Sequence, residues 1–116
     1  MKLYGIANCD TVKKARSWLD QHHIEYQFHD FKIHGVAAEL AQIWLQQMGW
    51  EKLINRNGLT WRGLPVQQKQ AIQNNRAALQ LMLEKPSVIK RPLLEQDSKL
   101  LHAGFDPVTY RKIFNS

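Results

Sequence analysis

The sequence predicts an α/β fold in which a small sheet is interrupted by a helical insertion. Three observations lead to this prediction: a strand, helix and strand pattern near the start, helical patterns through the middle, and short extended runs near the end. With 116 residues, of which 44% are hydrophobic, the chain has the length and apolar content of one folded domain.

The N-terminal part predicts two strands joined by a helix. Residues 2–6 alternate weakly and predict the first strand, after which Asp10 or Thr11 can cap a helix. Apolar side chains recur every three or four positions over residues 12–23, which predicts a helix with one buried face, and residues 24–31 alternate as a second strand. Two strands joined by such a helix are normally parallel.

The middle of the chain predicts helices separated by loops. An apolar stripe with helical spacing covers residues 36–48 and ends at Gly49. Residues 60–65 predict an irregular stretch that ends in a proline able to open a helix. The next helix covers residues 67–83, with a break near its two adjacent asparagines, and Pro86 terminates it.

The last part predicts extended structure and a closing helix. Residues 87–89 predict an extended segment, and residues 93–95 and 99–102 predict a hairpin. Asp106, followed by a proline, caps a final helix that ends near Phe114.

The order of these elements is a thioredoxin-like plan with a helical insertion. We therefore expect one thioredoxin-like domain in three segments: residues 1–34 and 86–116 as the core, and residues 35–85 as the insertion.

Basic residues are concentrated in one stretch. The net charge is +6, and residues 52–91 carry eight basic residues against one acidic residue, Glu84. Such a stretch predicts an anionic partner, which can be a small oxyanion, a peptide carboxylate, nucleic acid or an acidic protein surface. Charge alone does not distinguish among these partners.

Residue usage excludes several kinds of site. A single cysteine, Cys9, rules out an intramolecular disulfide and a multi-thiolate metal site, and it fits a reducing cytosol. The histidines lack metal-ligand spacing, and the tryptophans lack the basic and aromatic pattern of nucleic-acid binding, so we expect no metal and no nucleic acid. No apolar run approaches the roughly 18 residues that span a bilayer, and signal-peptide features are absent. We expect a cytoplasmic protein that does not bind membranes.

Cys9 is the first candidate for chemistry. It follows a short strand and lies at the start of a helix, where backbone N–H groups and the helix dipole stabilise a thiolate. Lys13 and Lys14 favour a lowered pKa of this thiol, whereas Asp10 opposes it. The alternative is a buried structural cysteine, against which its polar neighbours argue. We predict a reactive thiol.

Lys90, Arg91 and Pro92 form the second candidate site. A proline between two extended runs is disfavoured in a sheet unless it lies at a bend, at an edge or after a cis bond. In a thioredoxin-like plan a cis-proline before the hairpin packs opposite the cysteine, which would bring Arg91 beside the thiolate. The alternative is a solvated arginine, and the same alternative holds for Arg56 and Arg62 on their loops.

Four segments carry a resemblance to a known family. They read LYGIANCDTVKKAR at residues 3–16, YQFHDF at 26–31, LINRNGLTWRGL at 53–64 and IKRPLL at 89–94. The chain resembles the arsenate reductase/Spx (ArsC/Spx) family, and within it the YffB-like branch. The resemblance implies a thioredoxin-like fold with a helical insertion, Cys9 as the redox nucleophile, and Arg91 before a cis Pro92 near the thiol. It also places Arg56 in the basic loop of the family.

Departures from the family pattern bear on activity. Arsenate reductases of the family carry a third arginine after the hairpin, where residues 99–105 have none, and a histidine before the cysteine, where this chain has Gly5 or Ile6. These differences argue against efficient arsenate reduction. Spx-like regulators commonly have a Cys-x-x-Cys motif, and the second thiol is absent after Cys9. This difference argues against a redox-switched regulator.

The predicted function is a glutathione-dependent thiol reductase that acts through Cys9. An external thiol must resolve the adduct on Cys9, because the chain has no second thiol. Glutathione is the expected co-substrate and glutaredoxin a further partner, with no bound cofactor and a monomeric protein. The residues expected to hold glutathione are Arg56, Arg91, Lys13, Lys14, Lys90 and Pro92. The alternatives are a glutaredoxin-coupled arsenate reductase and an Spx-like protein-binding transcription regulator.

Overall fold

The first strand and helix lie where the sequence predicts them, at the start of a computed structural model that describes residues 1–114. The strands and helices in chain order are β1 (Lys2–Gly5), α1 (Asp10–Gln21), β2 (Gln27–Asp30), α2 (Phe31–His34), α3 (Ala38–Met48), α4 (Trp50–Leu53), α5 (Leu59–Arg62), α6 (Val66–Ala71), α7 (Asn75–Glu84), β3 (Leu93–Gln96), β4 (Lys99–Ala103) and α8 (Pro107–Ile113). A 3₁₀ turn, Pro86–Val88, lies between α7 and β3. Within the described range, no helix is both long enough and apolar enough to cross a membrane.

The described chain consists of two compact units. The sheet unit comprises residues 1–30 and 91–114, and the helical unit comprises Phe31–Lys90. Residues 31–34 and 86–90, which the sequence analysis assigned to the core, are part of the helical unit, because α2 and the 3₁₀ turn pack against each other there.

The sheet unit has the strand order β2-β1-β3-β4. Strands β1 and β2 are parallel, whereas β3 is antiparallel to both β1 and β4. The hairpin loop between β3 and β4 contains Asp97 and Ser98, whose φ angles of 52° and 65° suit a tight two-residue turn. This topology confirms the predicted thioredoxin-like fold.

The core of the sheet unit lies on the face of the sheet that carries Leu3. This residue pairs with Phe28 on β2 and with Leu94 on β3. Helix α1 covers the face with residues at helical spacing, and α8 adds Tyr110, whose ring meets the Trp18 ring edge-on at 5.5 Å. The buried residues of this core cluster are Leu3, Ala15, Trp18, Leu19, Leu94 and Tyr110. Burial of this face fixes α1 on the sheet and so positions its N-terminus.

The opposite face of β1 holds a buried polar pair. Consecutive strand residues point to opposite faces, so the side chain of Tyr4 lies on the face opposite to that of Leu3. The Tyr4 hydroxyl donates a hydrogen bond of 3.0 Å to Oε1 of Glu95, and the two residues are only 3% and 5% exposed. Burial, followed by the hydrogen bond and the charge of Glu95, raises the pKa of Tyr4. The pair therefore links β1 to β3 through side chains as well as backbone.

Helices α3 and α7 pack together in the helical unit. Their buried residues are Ala41, Trp44 and Leu45 on α3 and Ala78, Leu81 and Met82 on α7. Asn74 caps α7 by accepting a 2.9 Å hydrogen bond from the N–H of Ala77. The Asn75 side chain donates to the carbonyl of Leu45 at 3.2 Å and accepts from the N–H of Trp50 at 3.0 Å. The predicted break at these asparagines is confirmed, because α6 ends and α7 begins around them.

Several local predictions are wrong. Residues 87 and 88 are not extended, because the N–H groups of Val88 and Ile89 bond to the carbonyls three residues before them and close a 3₁₀ turn. Ile89 is extended, as predicted, and forms an antiparallel bridge with Ile54. Residues 60–65 are not wholly irregular, since the helical turn α5 occupies their first part. The second strand is shorter than residues 24–31: it begins at Gln27, which pairs with Lys2 at the start of β1, and it ends at Asp30, because the chain then turns into α2.

Candidate active site

Cys9 is the N-cap residue of α1. Its backbone is extended, with φ of −137° and ψ of 124°, and its carbonyl accepts a 2.9 Å hydrogen bond from the N–H of Lys13. Asp10 and Thr11, which were predicted as caps, do not cap the helix. The helix already begins at Asp10, so both residues lie in its first turn. The thiol therefore occupies the position where unpaired N–H groups converge.

The surroundings of the half-buried Cys9 lower the pKa of its thiol. Burial raises this pKa, but the combined opposing effects are larger. They are a hydrogen bond from the N–H of Val12, a hydrogen bond from Arg91, the charge of Arg91, and a hydrogen bond from the N–H of Thr11. The structure thus brings the two predicted catalytic residues, Cys9 and Arg91, together within the sheet unit.

The peptide bond between Arg91 and Pro92 is cis. Pro92 is buried, and its carbonyl accepts a 2.8 Å hydrogen bond from the N–H of Gly104. This bond joins the segment before β3 to the segment after β4. Arg91 itself is half-buried, so it is not the solvated surface arginine of the alternative interpretation.

Two residues that sequence reasoning missed support the segment leading to Cys9. Asp30, which is 8% exposed, accepts a 3.2 Å hydrogen bond at Oδ2 from the N–H of Ala7. Gly5 leaves room for α1, since a Cβ atom there would lie 2.8 Å from Cγ2 of Val12. A glycine inside a predicted strand signals such a close approach. An aspartate within a predicted strand, next to its last residue, was the available signal for Asp30.

The other predicted ligand-binding residues occupy exposed positions. Lys13 and Lys14 are exposed on α1, so their effect on the thiol and on a ligand stays a prediction. Arg56 and Lys90 belong to the helical unit, where both are exposed. The Arg56 guanidinium lies 5.3 Å from the centre of the Trp50 ring, a cation–π arrangement that orients it.

No catalytic or binding role is assigned to Arg62 or to the histidines. Arg62 is exposed at the end of α5, and its carbonyl accepts a 3.1 Å hydrogen bond from Nζ of Lys69. Among residues 1–114, no group of three or more His, Cys, Asp or Glu side chains is arranged to hold a metal ion.

A comparison with known families identifies the family of this chain. A model of the ArsC family matches residues 4–113. The chain belongs to the ArsC family. A protein of Haemophilus influenzae described as uncharacterized is 41% identical over 112 residues, which cover 97% of this chain and 96% of that protein.

Solved structures of ArsC family proteins share the fold. A structure described as the YFFB protein has a TM-score of 0.89 and 45% sequence identity, covering 96% of each chain. The solution structure of an arsenate reductase (ArsC) related protein from Brucella melitensis has a TM-score of 0.80 and 46% identity, covering 99% of this chain and 94% of that one. The predicted membership of the ArsC/Spx family, with its YffB-like branch, is confirmed.

Regulatory proteins are also similar to this ArsC family chain. The regulatory protein MgsR of Bacillus subtilis is 28% identical over 109 residues, which cover 92% of this chain and 84% of MgsR. Reductase-related proteins and regulators therefore both occur among its relatives.

Proposed function

We propose that this ArsC family protein is a glutathione-dependent thiol reductase that works through Cys9. The observation that carries the proposal is the Cys9 thiol at the N-terminus of α1, hydrogen-bonded by Arg91 and with a lowered pKa. A thiolate, not a thiol, is the nucleophile in thiol–disulfide exchange, and this environment favours the thiolate. The surrounding residues supply charge and hydrogen bonds and no second thiol.

The reaction proceeds in two exchanges. The Cys9 thiolate attacks the glutathione sulfur of a disulfide between glutathione and a substrate thiol, forms a new S–S bond with that sulfur, and releases the substrate sulfur as a thiolate. A second glutathione thiolate then attacks the Cys9-bound glutathione, which gives oxidised glutathione and regenerates Cys9. Glutathione supplies both electrons. Since the chain contains one cysteine, no internal thiol competes with this second step.

Basic side chains bind the glutathione carboxylates in this proposal. Arg91 supplies a guanidinium beside the reacting sulfur, which suits forked hydrogen bonds to a carboxylate. Arg56, Lys13, Lys14 and Lys90 add positive charge, and Pro92 contributes backbone to the binding site. Because these cations are exposed, they contribute by attracting the anionic ligand toward the site through their charge.

The proposal includes the setting of the reaction. The protein acts as a monomer in the cytoplasm, where thiols are kept reduced, without a bound cofactor and without direct binding to nucleic acid or membrane. Glutaredoxin is its further partner, as an exchange partner for the Cys9 adduct.

The intact mass of the protein after reaction with oxidised glutathione tests the proposal. We expect one added glutathione on the wild type, removed by excess reduced glutathione, and none on Cys9→Ser. An unmodified wild type under conditions that modify small thiols contradicts the proposal, as does an adduct that reduced glutathione does not remove.

Arsenate reduction is the second candidate, favoured by the 46% identity to the arsenate reductase related protein. In this case the Cys9 thiolate attacks arsenate and displaces one oxygen as water. A glutathione thiolate then attacks the Cys9 sulfur, so that arsenic leaves as arsenite with the electron pair of the S–As bond, and glutaredoxin reduces the resulting disulfide between Cys9 and glutathione. Arsenite formation is measured with arsenate, glutathione and glutaredoxin. Arsenite production that requires Cys9, by a protein that reduces no glutathione mixed disulfide, would replace the first proposal with this one.

A regulator that binds a protein partner is the third candidate, favoured by the similarity to MgsR. The discriminating measurement is co-purification with wild type and Cys9→Ser protein as baits. A regulator of this kind keeps its partner without the thiol, whereas partners captured through a mixed disulfide disappear with Cys9.

A further inference from the structure

The segment between β1 and α1 is held from one side by a buried carboxylate. Asp30 ends β2 and stands opposite Gly5 of β1 in the parallel register. Its Oδ2 accepts the N–H of Ala7 over 3.2 Å, although Ala7 and Asn8 are exposed. Ala7 is two residues before Cys9, so the bond fixes the chain just before the reacting residue.

Burial makes this carboxylate costly unless it accepts hydrogen bonds. Asp30 is 8% exposed and, with Glu95, is a buried charged residue of the part of the chain that the structure describes. A threonine or an apolar residue would end β2 at a lower desolvation cost. Accepting the N–H of Ala7 accounts for a side chain with an acceptor oxygen at this position.

The groups that favour the Cys9 thiolate all act at short range. They are the N–H groups of Thr11 and Val12 and the guanidinium of Arg91. Hydrogen bonds weaken steeply when their geometry is poor, so their effect depends on where Sγ lies. Helix α1 fixes one end of this arrangement through buried Val12 and Ala15, and the bond to Asp30 fixes the other.

We propose that Asp30 is a positioning residue, which holds the N–H of Ala7 and thereby directs the Cys9 sulfur to the N–H groups of α1 and to Arg91. The proposal rests on the proposed function only in taking Cys9 as the reacting group. The alternative is that Asp30 acts on Cys9 through its charge. A nearby negative charge disfavours a thiolate, so in that case Asp30 would raise the pKa of Cys9. The two roles predict opposite effects when the carboxylate is removed.

The test compares Asp30→Ala and Asp30→Asn with Asp20→Ala, a control that removes an exposed carboxylate from α1. Asparagine keeps an oxygen that can accept the N–H of Ala7 but carries no charge, whereas alanine removes the acceptor. Two quantities are measured in each variant: hydrogen-exchange protection of the Ala7 amide, and the pH midpoint of Cys9 alkylation by iodoacetamide.

We expect Asp30→Ala to lose protection at Ala7 and, at one pH unit below the wild-type midpoint, to react roughly threefold to ninefold more slowly, which corresponds to a rise of about 0.5 to 1 in the thiol pKa. Asp30→Asn keeps both the protection and the midpoint, and Asp20→Ala changes neither. If Asp30→Ala does not fold, Asp30→Leu takes its place, because leucine also removes the acceptor and fills the space of the side chain; an unchanged midpoint in that variant overturns the proposal, and a lowered midpoint in Asp30→Asn supports charge instead.

Several results would overturn the proposal. They are a variant that loses the protection of Ala7 without a raised midpoint, a midpoint that rises while the protection remains, and an Asp30→Ala protein in which neither changes. Alkylation requires no glutathione, so a protein that forms no glutathione adduct while these relations hold contradicts only the proposed function.

Discussion

The sheet unit and the helical unit carry their charges in different ways. In residues 31–90 there are eight basic and three acidic residues, against eight and seven in the rest of the chain. The charged side chains that matter in the sheet unit are buried or half-buried and hydrogen-bonded: Asp30, Glu95 and Arg91. In the helical unit, Arg56, Arg62 and Lys90 are exposed.

This difference separates two kinds of contribution to function. Partly buried groups interact strongly at short range and can set the pKa of a neighbouring thiol. Exposed charges are screened by water and salt, so they add to the attraction of an anion without fixing its geometry. We therefore expect substitutions of the partly buried charged residues near Cys9 in the sheet unit to change the chemistry of Cys9, and substitutions of exposed basic residues in the helical unit to change affinity alone.

Removal of Arg91 is expected to have the largest effect and to test the sheet-unit half of the comparison. We expect the midpoint of Cys9 alkylation to lie below the free-thiol value of about 8.5 in the wild type and to rise in Arg91→Ala, because the cation and hydrogen bond that favour the thiolate are lost. A charge-assisted hydrogen bond to a glutathione carboxylate contributes about 1.5–3 kcal/mol, so affinity falls roughly 10-fold to 150-fold.

Two further variants make the Arg91 result specific. Arg91→Lys restores part of each property, because an ammonium supplies charge without the forked geometry. Arg111→Ala, which removes an exposed arginine from α8 in the same unit, leaves both unchanged. An Arg91→Ala protein that is folded and has the midpoint and affinity of the wild type would remove the basis for the proposed anion site.

Gly5→Ala tests whether the close approach of α1 to β1 is required. The added Cβ would lie 2.8 Å from Cγ2 of Val12, too close for any undistorted contact. We expect the free energy of unfolding to fall by about 1–3 kcal/mol, as for other overpacked cores, measured by denaturant unfolding. Val12→Ala removes the opposing methyl groups, so the double variant should lose less than the two single variants together. Strict additivity would show that Val12 is not the neighbour that limits position 5.

Much of the sheet unit is predictable because its signals are local. The alternation of β1, the apolar face of α1, the positive-φ turn between β3 and β4, and the Asp106 cap, which accepts the N–H of Thr109 at 2.7 Å, each depend on residues close in the sequence. The cysteine at the helix start is equally local.

The parts that sequence reasoning missed depend on contacts between distant residues. The Tyr4–Glu95 pair spans 91 residues and the Ala7–Asp30 bond 23, so no spacing rule connects them. The 3₁₀ turn and the helical turn α5 are single turns, too short for an apolar period to appear. The position of Arg91 beside Cys9 was predicted only from the thioredoxin-like plan and the family resemblance, since the two residues lie far apart in the sequence.

Arg56→Ala is expected to have the smallest effect, and it tests the helical-unit half of the comparison. Arg56 is exposed and its guanidinium already lies over the Trp50 ring, so its charge is oriented but screened. Affinity for glutathione, measured by calorimetry with the Cys9→Ser protein, should fall roughly twofold to fivefold at low salt and converge with the parent value at high salt. The midpoint of Cys9 alkylation, measured in Arg56→Ala with the thiol present, should not move.

Arg76→Ala is the matched control, because it removes one exposed arginine from the same unit and keeps the basic loop intact. Equal losses in the two variants would mean that only net charge attracts the ligand, and a loss in Arg56→Ala that persists at high salt would mean that Arg56 binds it directly.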